Sequence, residues 1–141
     1  MEVFRGQTEE KFLANMMLLS SGLFLIVSGY YFVTSKETPA AATYELMTGL
    51  MPFEAWGVLM IVAGVPLCAA VFQTGQVRNM SMLGGGLLGA VIITLYAMAS
   101  SQGASTFLVP VRYSMMAGFN FLIAVLGGLQ AWRTRKVMSR D

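Results

Sequence analysis

The segment Val109 to Trp132, VPVRYSMMAGFNFLIAVLGGLQAW, decides the class of fold. It is long enough to cross the hydrocarbon core of a bilayer, which takes about 20 residues as an α-helix. Its first turns carry one charge, Arg112, and an amide, Asn120, follows within the apolar run. The segment therefore predicts a membrane-spanning helix with two polar residues that need partners.

At helical spacing, the two sides of this segment differ in size. Small or weakly polar residues share one side, and bulky apolar residues crowd the other. The small side holds Tyr113, Ala117, Asn120, Ala124, Gly127 or Gly128, and Ala131, and the bulky side holds Phe119, Leu122, Ile123 and Leu126. A small side lets another backbone come close, so we expect this helix to pack against partner helices.

The composition is that of a membrane protein. Of 141 residues, 56% are hydrophobic and 11% are charged, and the charged residues gather at the ends of the apolar segments. Histidine is absent, which removes the commonest general base and a common metal ligand. The sequence therefore predicts no enzyme, no metal and no cofactor. A net charge of +2 is too small to indicate a nucleic-acid partner.

Three further apolar segments precede the first one described. The predicted spans are about 12–33, 52–72, 81–100 and 110–132, followed by a basic tail at 133–141. These spans predict an all-α, integral membrane four-helix bundle that forms a single domain over 1–141. Between the first two spans, Tyr44, Met47, Leu50 and Met51 recur at helical spacing and predict a short helix lying in the membrane interface. A polar turn is expected at 73–80.

The basic residues predict the orientation of the chain. With both termini and the 73–80 turn in the cytoplasm, seven basic residues lie inside and two, Lys36 and Arg112, lie outside. The seven are Arg5, Lys11, Arg78, Arg133, Arg135, Lys136 and Arg140. We therefore expect cytoplasmic N and C termini.

Small residues recur at spacings that favour close helix packing. Gly22 and Gly29 lie seven residues apart in the first span, and Gly57 and Gly64 share a face of the second. The predicted helix-packing or pore-lining residues are Gly85, Gly89, Asn120, Ala124, Gly127 and Gly128. For Asn120 two roles remain open, an interhelical hydrogen bond or a position along a wet pore.

Glu54 and Arg112 form a predicted charge pair at the outer mouth of the bundle. A carboxylate at a helix N-terminus is favoured by the helix dipole, whereas a cation there is opposed by it. Arg112 therefore needs compensation. The three alternatives are a carboxylate, Glu54 or Glu45, a lipid phosphate reached by the long side chain, and an anion at a pore mouth.

The overall plan resembles the small four-span membrane proteins of tailed bacteriophages and prophages, including holin-like ones. The resemblance rests on residues 43–57, TYELMTGLMPFEAWG, on the apolar helix entered at Trp56 and Gly57, and on the basic tail. It implies a multi-pass protein of the bacterial cytoplasmic membrane and carries no site residue.

Two functions are consistent with these patterns. In the first, the chain assembles with copies of itself into a homo-oligomeric pore or a membrane-permeabilising, holin-like lesion. In the second, it is a non-catalytic structural or adaptor subunit that binds other membrane proteins. The expected partners are thus the lipid bilayer, further copies of the chain and possible membrane proteins of a larger complex.

Overall fold

The computed structural model describes residues 2–35, 45, 48–103 and 108–138. It contains four long helices: α1 (Glu2–Thr34), α2 (Phe53–Ala70), α3 (Gly75–Gly103) and α4 (Leu108–Met138). No residue within the described ranges belongs to a β-strand. The predicted all-α fold is confirmed to this extent.

Each helix contains a segment long and apolar enough to cross a membrane. These segments are Lys11–Thr34, Phe53–Ala70, Gly75–Ala99 and Pro110–Lys136. Large apolar side chains on their outer faces are exposed, among them Phe12, Val62, Leu95 and Phe121. Water would make such exposure costly, whereas lipid tails accept it. The four helices therefore indicate a multi-pass membrane protein.

Helices α1, α3 and α4 extend beyond the predicted apolar spans, whereas α2 lies within the predicted 52–72. The expected turn at 73–80 is wrong, because α3 already begins at Gly75 and the break between α2 and α3 covers only residues 71–74. Gly75 has a positive φ of 62°, which glycine adopts without steric cost, and no glycine or proline follows it in 76–80. Polar residues end the hydrophobic span there, but they do not end the helix.

The predicted interfacial helix falls largely on residues that the structure does not describe. Tyr44 and Met47 lie outside the described residues. Glu45 and residues 48–50 have helical backbone, and the Thr48 hydroxyl donates a hydrogen bond to the Glu45 carbonyl oxygen at 3.1 Å. Where this segment lies relative to a membrane remains a prediction.

Helices α1 and α2 are antiparallel and approach each other at paired glycines. A Cβ atom built on Gly64 would lie 2.7 Å from the carbonyl oxygen of Gly22, and one built on Gly57 would lie 2.6 Å from that of Gly29. No side chain fits between the backbones at these points. The close packing predicted from the seven-residue spacing in α1 and the shared face in α2 is confirmed.

The other close contacts follow the same principle. Adjacent glycines of α3 face different neighbours: a Cβ on Gly85 would meet the Ala63 carbonyl oxygen of α2 at 2.9 Å, and one on Gly86 would meet the Ala124 nitrogen of α4 at 2.7 Å. Helix α3 therefore packs on α2 with one side and on α4 with another. The α3–α4 and α1–α2 pairs pack most extensively, α2 and α3 join the two pairs, and α1 touches α4 much less.

Aromatic rings fill the bundle at one end. The Phe32 ring of α1 lies 4.4 Å from the Phe53 ring of α2 and 5.7 Å from the Tyr96 ring of α3, measured between centroids. Tyr96 in turn lies 4.3 Å from Tyr113 of α4. All four helices thus share one aromatic cluster. We call this the Arg112 end, and the opposite end, where α3 begins, the Arg78 end.

The paired glycines make a testable prediction about stability. Gly64→Ala is expected to lower the free energy of unfolding by about 1–3 kcal/mol, because the added methyl group meets backbone atoms that must move. Gly84→Ala is the matched control, since a Cβ there has no neighbour within 4 Å. Its effect should stay within about 1 kcal/mol, in the stabilising direction expected from helix propensity. Reversible unfolding in mixed micelles measures both, and equal effects would contradict the packing described.

Candidate functional site: a buried polar pair and an open groove

Asn120 occupies the centre of the bundle. Its side chain is fully buried, with 0% of its surface exposed. The Ser21 hydroxyl of α1 donates a hydrogen bond to Asn120 Oδ1 at 3.0 Å, and Asn120 Nδ2 donates one to the Met116 carbonyl oxygen at 2.9 Å. The amide therefore links α1 to α4 by an interhelical hydrogen bond, the first of the two roles considered for it.

A glycine makes room for this amide. A Cβ atom on Gly89 would lie 2.8 Å from Asn120 Oδ1 and 3.0 Å from Leu25 Cδ1. Any side chain at position 89 would therefore displace either the amide or the α1 leucine. The Gly85-xxx-Gly89 spacing thus serves two contacts, since Gly85 meets α2 and Gly89 meets the polar pair.

The remaining predicted packing residues lie along the α3–α4 contact. Ala124 is buried against Gly86. A Cβ on Gly127 would lie 2.7 Å from the Asn79 carbonyl oxygen, whereas one on Gly128 would make only an ordinary contact of 3.4 Å with Leu83 Cδ1. The α3–α4 contact is as close at Gly127 as at Gly86, and Gly128 contributes little to it.

These contacts place the small-residue faces inside the chain. Gly22, Gly29, Gly57, Gly64 and Gly85 all meet backbone of a neighbouring helix of the same chain. The faces that sequence analysis offered for contacts between copies are therefore already covered. Two glycines in the spans, Gly84 and Gly118, are instead exposed, and a Cβ built on either would have no neighbour within 4 Å.

The structure does not bring Glu54 and Arg112 together as an ion pair. Both side chains are exposed at the same end of the bundle, and within the described residues no ion pair joins them. The helix order explains the separation, because α2 and α4 are not among the helix pairs that pack extensively. Glu54 is therefore not the group that compensates the charge of Arg112 in this structure.

A second polar contact at the Arg78 end was not predicted. Arg78 Nη2 donates a hydrogen bond to Asn15 Oδ1 at 2.8 Å, which joins the start of α3 to α1. Nearby on α3, the Ser81 hydroxyl donates to Gln73 Oε1 at 2.6 Å. The sequence placed Arg78 and the 73–80 turn on the cytoplasmic side, but the partner of Arg78 depends on helix rotation, which no spacing within one helix reveals.

An open groove runs between α3 and α4 toward the Arg112 end. Its volume is about 1220 Å³. Its lining is mostly apolar and includes small residues from both helices, and none of the lining residues is charged. The lining consists of Leu87, Ala90, Val91, Thr94, Leu95, Ala97, Met98, Ser101, Pro110, Val111, Ser114, Met115, Ala117, Gly118 and Phe121. Sequence analysis did not identify this feature.

No set of side chains in the described part of the chain forms a metal-binding cluster of histidine, cysteine and acidic residues. Cys68 is a free, half-buried thiol in α2, and its Sγ lies 2.5 Å from the position that a Cβ on Gly22 would take. This places the thiol in the α1–α2 contact as a small packing residue.

Comparisons with protein-family models, with curated proteins and with solved structures each find no match to this chain.

The buried pair gives a prediction that a double-mutant cycle can test. Ser21→Ala and Asn120→Ala should each destabilise the protein, and their coupling energy should be about 0.6 kcal/mol and at most about 1.7 kcal/mol, the range measured for interhelical hydrogen bonds in membranes. Ser20→Ala is the control, since Ser20 is exposed on the same helix. It should not couple to Asn120→Ala. A Ser21–Asn120 coupling no larger than that of Ser20 would contradict the hydrogen bond.

Proposed function

We propose that this chain is a non-catalytic structural or adaptor subunit of a larger membrane assembly. The supporting observation is that the small-residue faces pack against other helices of the same chain. These contacts occur at Gly22, Gly57, Gly64, Gly85 and Gly127. The chain thereby completes its own bundle. It has no need of further copies to cover those faces, and its core is filled with side chains.

The outer surface of the spans also fits a subunit that binds through apolar contacts. Exposed leucine, valine and phenylalanine side chains cover α1 and α4, where most of each span is unburied. Such a surface accepts lipid or an apolar helix of another protein equally well. The exposed apolar side chains of α1 form no continuous polar stripe along which water could cross the membrane.

We further propose that the subunit lies in a bacterial cytoplasmic membrane with both termini in the cytoplasm, and that it comes from a phage or prophage. The excess of basic residues at the Arg78 end supports this orientation. Lys136 Nζ lies 5.1 Å from the centroid of the Trp132 ring, an aromatic and basic pair typical of a membrane interface. The origin is supported only by the resemblance in overall plan.

A self-assembled, membrane-permeabilising complex is the second candidate. One observation favours it: Thr94 and Ser114 are exposed on the groove side of α3 and α4, together with Gly118. This is a weakly polar outward surface in the spans. In a ring of copies it could face a water-filled lumen. Asn120, one of the residues predicted to pack helices or line a pore, would have to leave a fully buried position first.

The two candidates differ in mass and in conductance. For the adaptor, we expect purified protein in nanodiscs to have the mass of one chain, 15.3 kDa, and planar bilayers containing folded protein to remain silent. Discrete currents that change with Ser114→Leu, but not with the control Val62→Leu on the outer face of α2, would establish the pore instead.

A further inference from the structure

We propose that the hairpin of α3 and α4 binds anionic phospholipid headgroups at its Arg78 end. The surface that binds them consists of Arg78, Arg133, Arg135 and Lys136, which we call the basic patch. The proposal is independent of both candidate functions and of the orientation of the chain, because it requires only that the helices span a bilayer.

The packing of α3 on α4 brings the basic patch together from two distant parts of the sequence. A Cβ built on Gly127 would lie 2.7 Å from the carbonyl oxygen of Asn79, the residue after Arg78. Ala131, about one helical turn further along the same side of α4, is also buried. The last turns of α4 therefore lie beside the start of α3, and they carry the other three basic residues.

The basic patch lies at the ends of the apolar segments. The segment Gly75–Ala99 begins at this end of the bundle, and the segment Pro110–Lys136 finishes there. The Trp132 ring is 60% exposed and lies beside Lys136, as an aromatic ring at a membrane interface does. Cations at this depth lie among the headgroups of one leaflet, which favours a lipid as the partner.

The basic residues of α4 are spread around the helix. At about 100° per residue, Arg133 and Arg135 lie on nearly opposite sides of α4, and both are exposed. A single soluble ligand would need its cations on one side. A layer of headgroups surrounds the helix, so cations on opposite sides each meet a phosphate.

Arg78 needs an anion for a separate reason. It is the fourth residue of α3, where the helix dipole opposes a positive charge. Its Nη2 donates a hydrogen bond to Asn15 Oδ1, but an amide is neutral and does not balance the charge. A lipid phosphate supplies that balance, and its oxygens accept paired hydrogen bonds from a guanidinium group.

The sequence excludes acidic residues from this hairpin. No aspartate or glutamate occurs between Glu54 and Asp141. Orientation in a membrane depends on basic residues and is little affected by acidic ones, so orientation does not require this exclusion. Binding to an anionic surface favours it, because acidic neighbours would cancel the attraction. At the opposite end, in contrast, the exposed Glu45 and Glu54 accompany Arg112.

Quenching of tryptophan fluorescence by brominated lipids tests the proposal in reconstituted vesicles. Trp132 is exposed within reach of the lipids around the basic patch, whereas Trp56, the other tryptophan, is only 2% exposed. The quenchers are brominated phosphatidylcholine, phosphatidylglycerol and phosphatidylserine. We expect each anionic lipid to be favoured over phosphatidylcholine about fivefold at Trp132, the ratio for one cation acting on one headgroup. About 1 M sodium chloride should bring this ratio close to one.

Removing charge from the basic patch should remove the preference. The double variant Arg133→Gln with Arg135→Gln should lower the ratio to below about twofold. It retains Lys136 beside Trp132, so the surroundings of the reporter are preserved. Arg112→Gln is the matched control at the opposite end and should leave the ratio unchanged.

Adding an acid tests the exclusion of acidic residues directly. Gln130 is exposed about one turn before Arg133. Gln130→Glu should lower the preference for anionic lipids, whereas the control Gln130→Ala, which adds no charge, should retain it. Helix content and unfolding midpoints verify that all variants fold.

Four results would overturn the proposal. An unchanged ratio in the Arg133→Gln, Arg135→Gln variant would remove the basic patch from the interaction, and a loss of preference in Arg112→Gln would place it at the other end. A preference that persists in about 1 M salt would exclude attraction between exposed charges. A preference for phosphatidylglycerol over phosphatidylserine would indicate a site for one headgroup instead of a charged surface.

Discussion

Close approach of helix backbones at glycine is the constraint on which this bundle depends. Within a membrane, lipid tails are as apolar as leucine, so burying apolar side chains between helices gains little over leaving them in lipid. Association then relies on the density of contacts between helices. The Gly22–Gly64 and Gly29–Gly57 pairs provide such contacts by removing every side chain that would hold α1 and α2 apart.

The position of the polar groups follows from this packing. Because Gly89 leaves space beside α3, the Asn120 amide enters the centre of the bundle and meets Ser21 there. An unpaired amide at this depth would be costly, whereas this amide has a donor on one side and an acceptor on the other. The pair therefore specifies how α1 is placed against α4, two helices that otherwise touch little.

The features that depend on one helix at a time could be predicted from the sequence, and those that depend on the rotation of two helices could not. Hydropathy predicted four spans, and seven-residue spacing predicted the glycine seam of α1. Neither could show that Gly22 faces Gly64, that Ser21 is the partner of Asn120, or that Arg78 reaches Asn15. The Glu54–Arg112 pairing was inferred from a shared membrane side, which says nothing about helix order around the bundle. The groove was missed for a related reason, since it is formed by the space between two helices.

The unequal packing of the helices has a consequence for biogenesis. Helices α1 and α2 form one antiparallel hairpin and α3 and α4 another, and each hairpin holds its own glycine contacts. Each can therefore enter the membrane as a paired unit soon after its second helix is synthesised, with its closest backbone contacts already made. The hydrogen bond between Ser21 and Asn120, 99 residues apart in the chain, cannot form until α4 has been made. It requires the first hairpin to meet the last helix of the second.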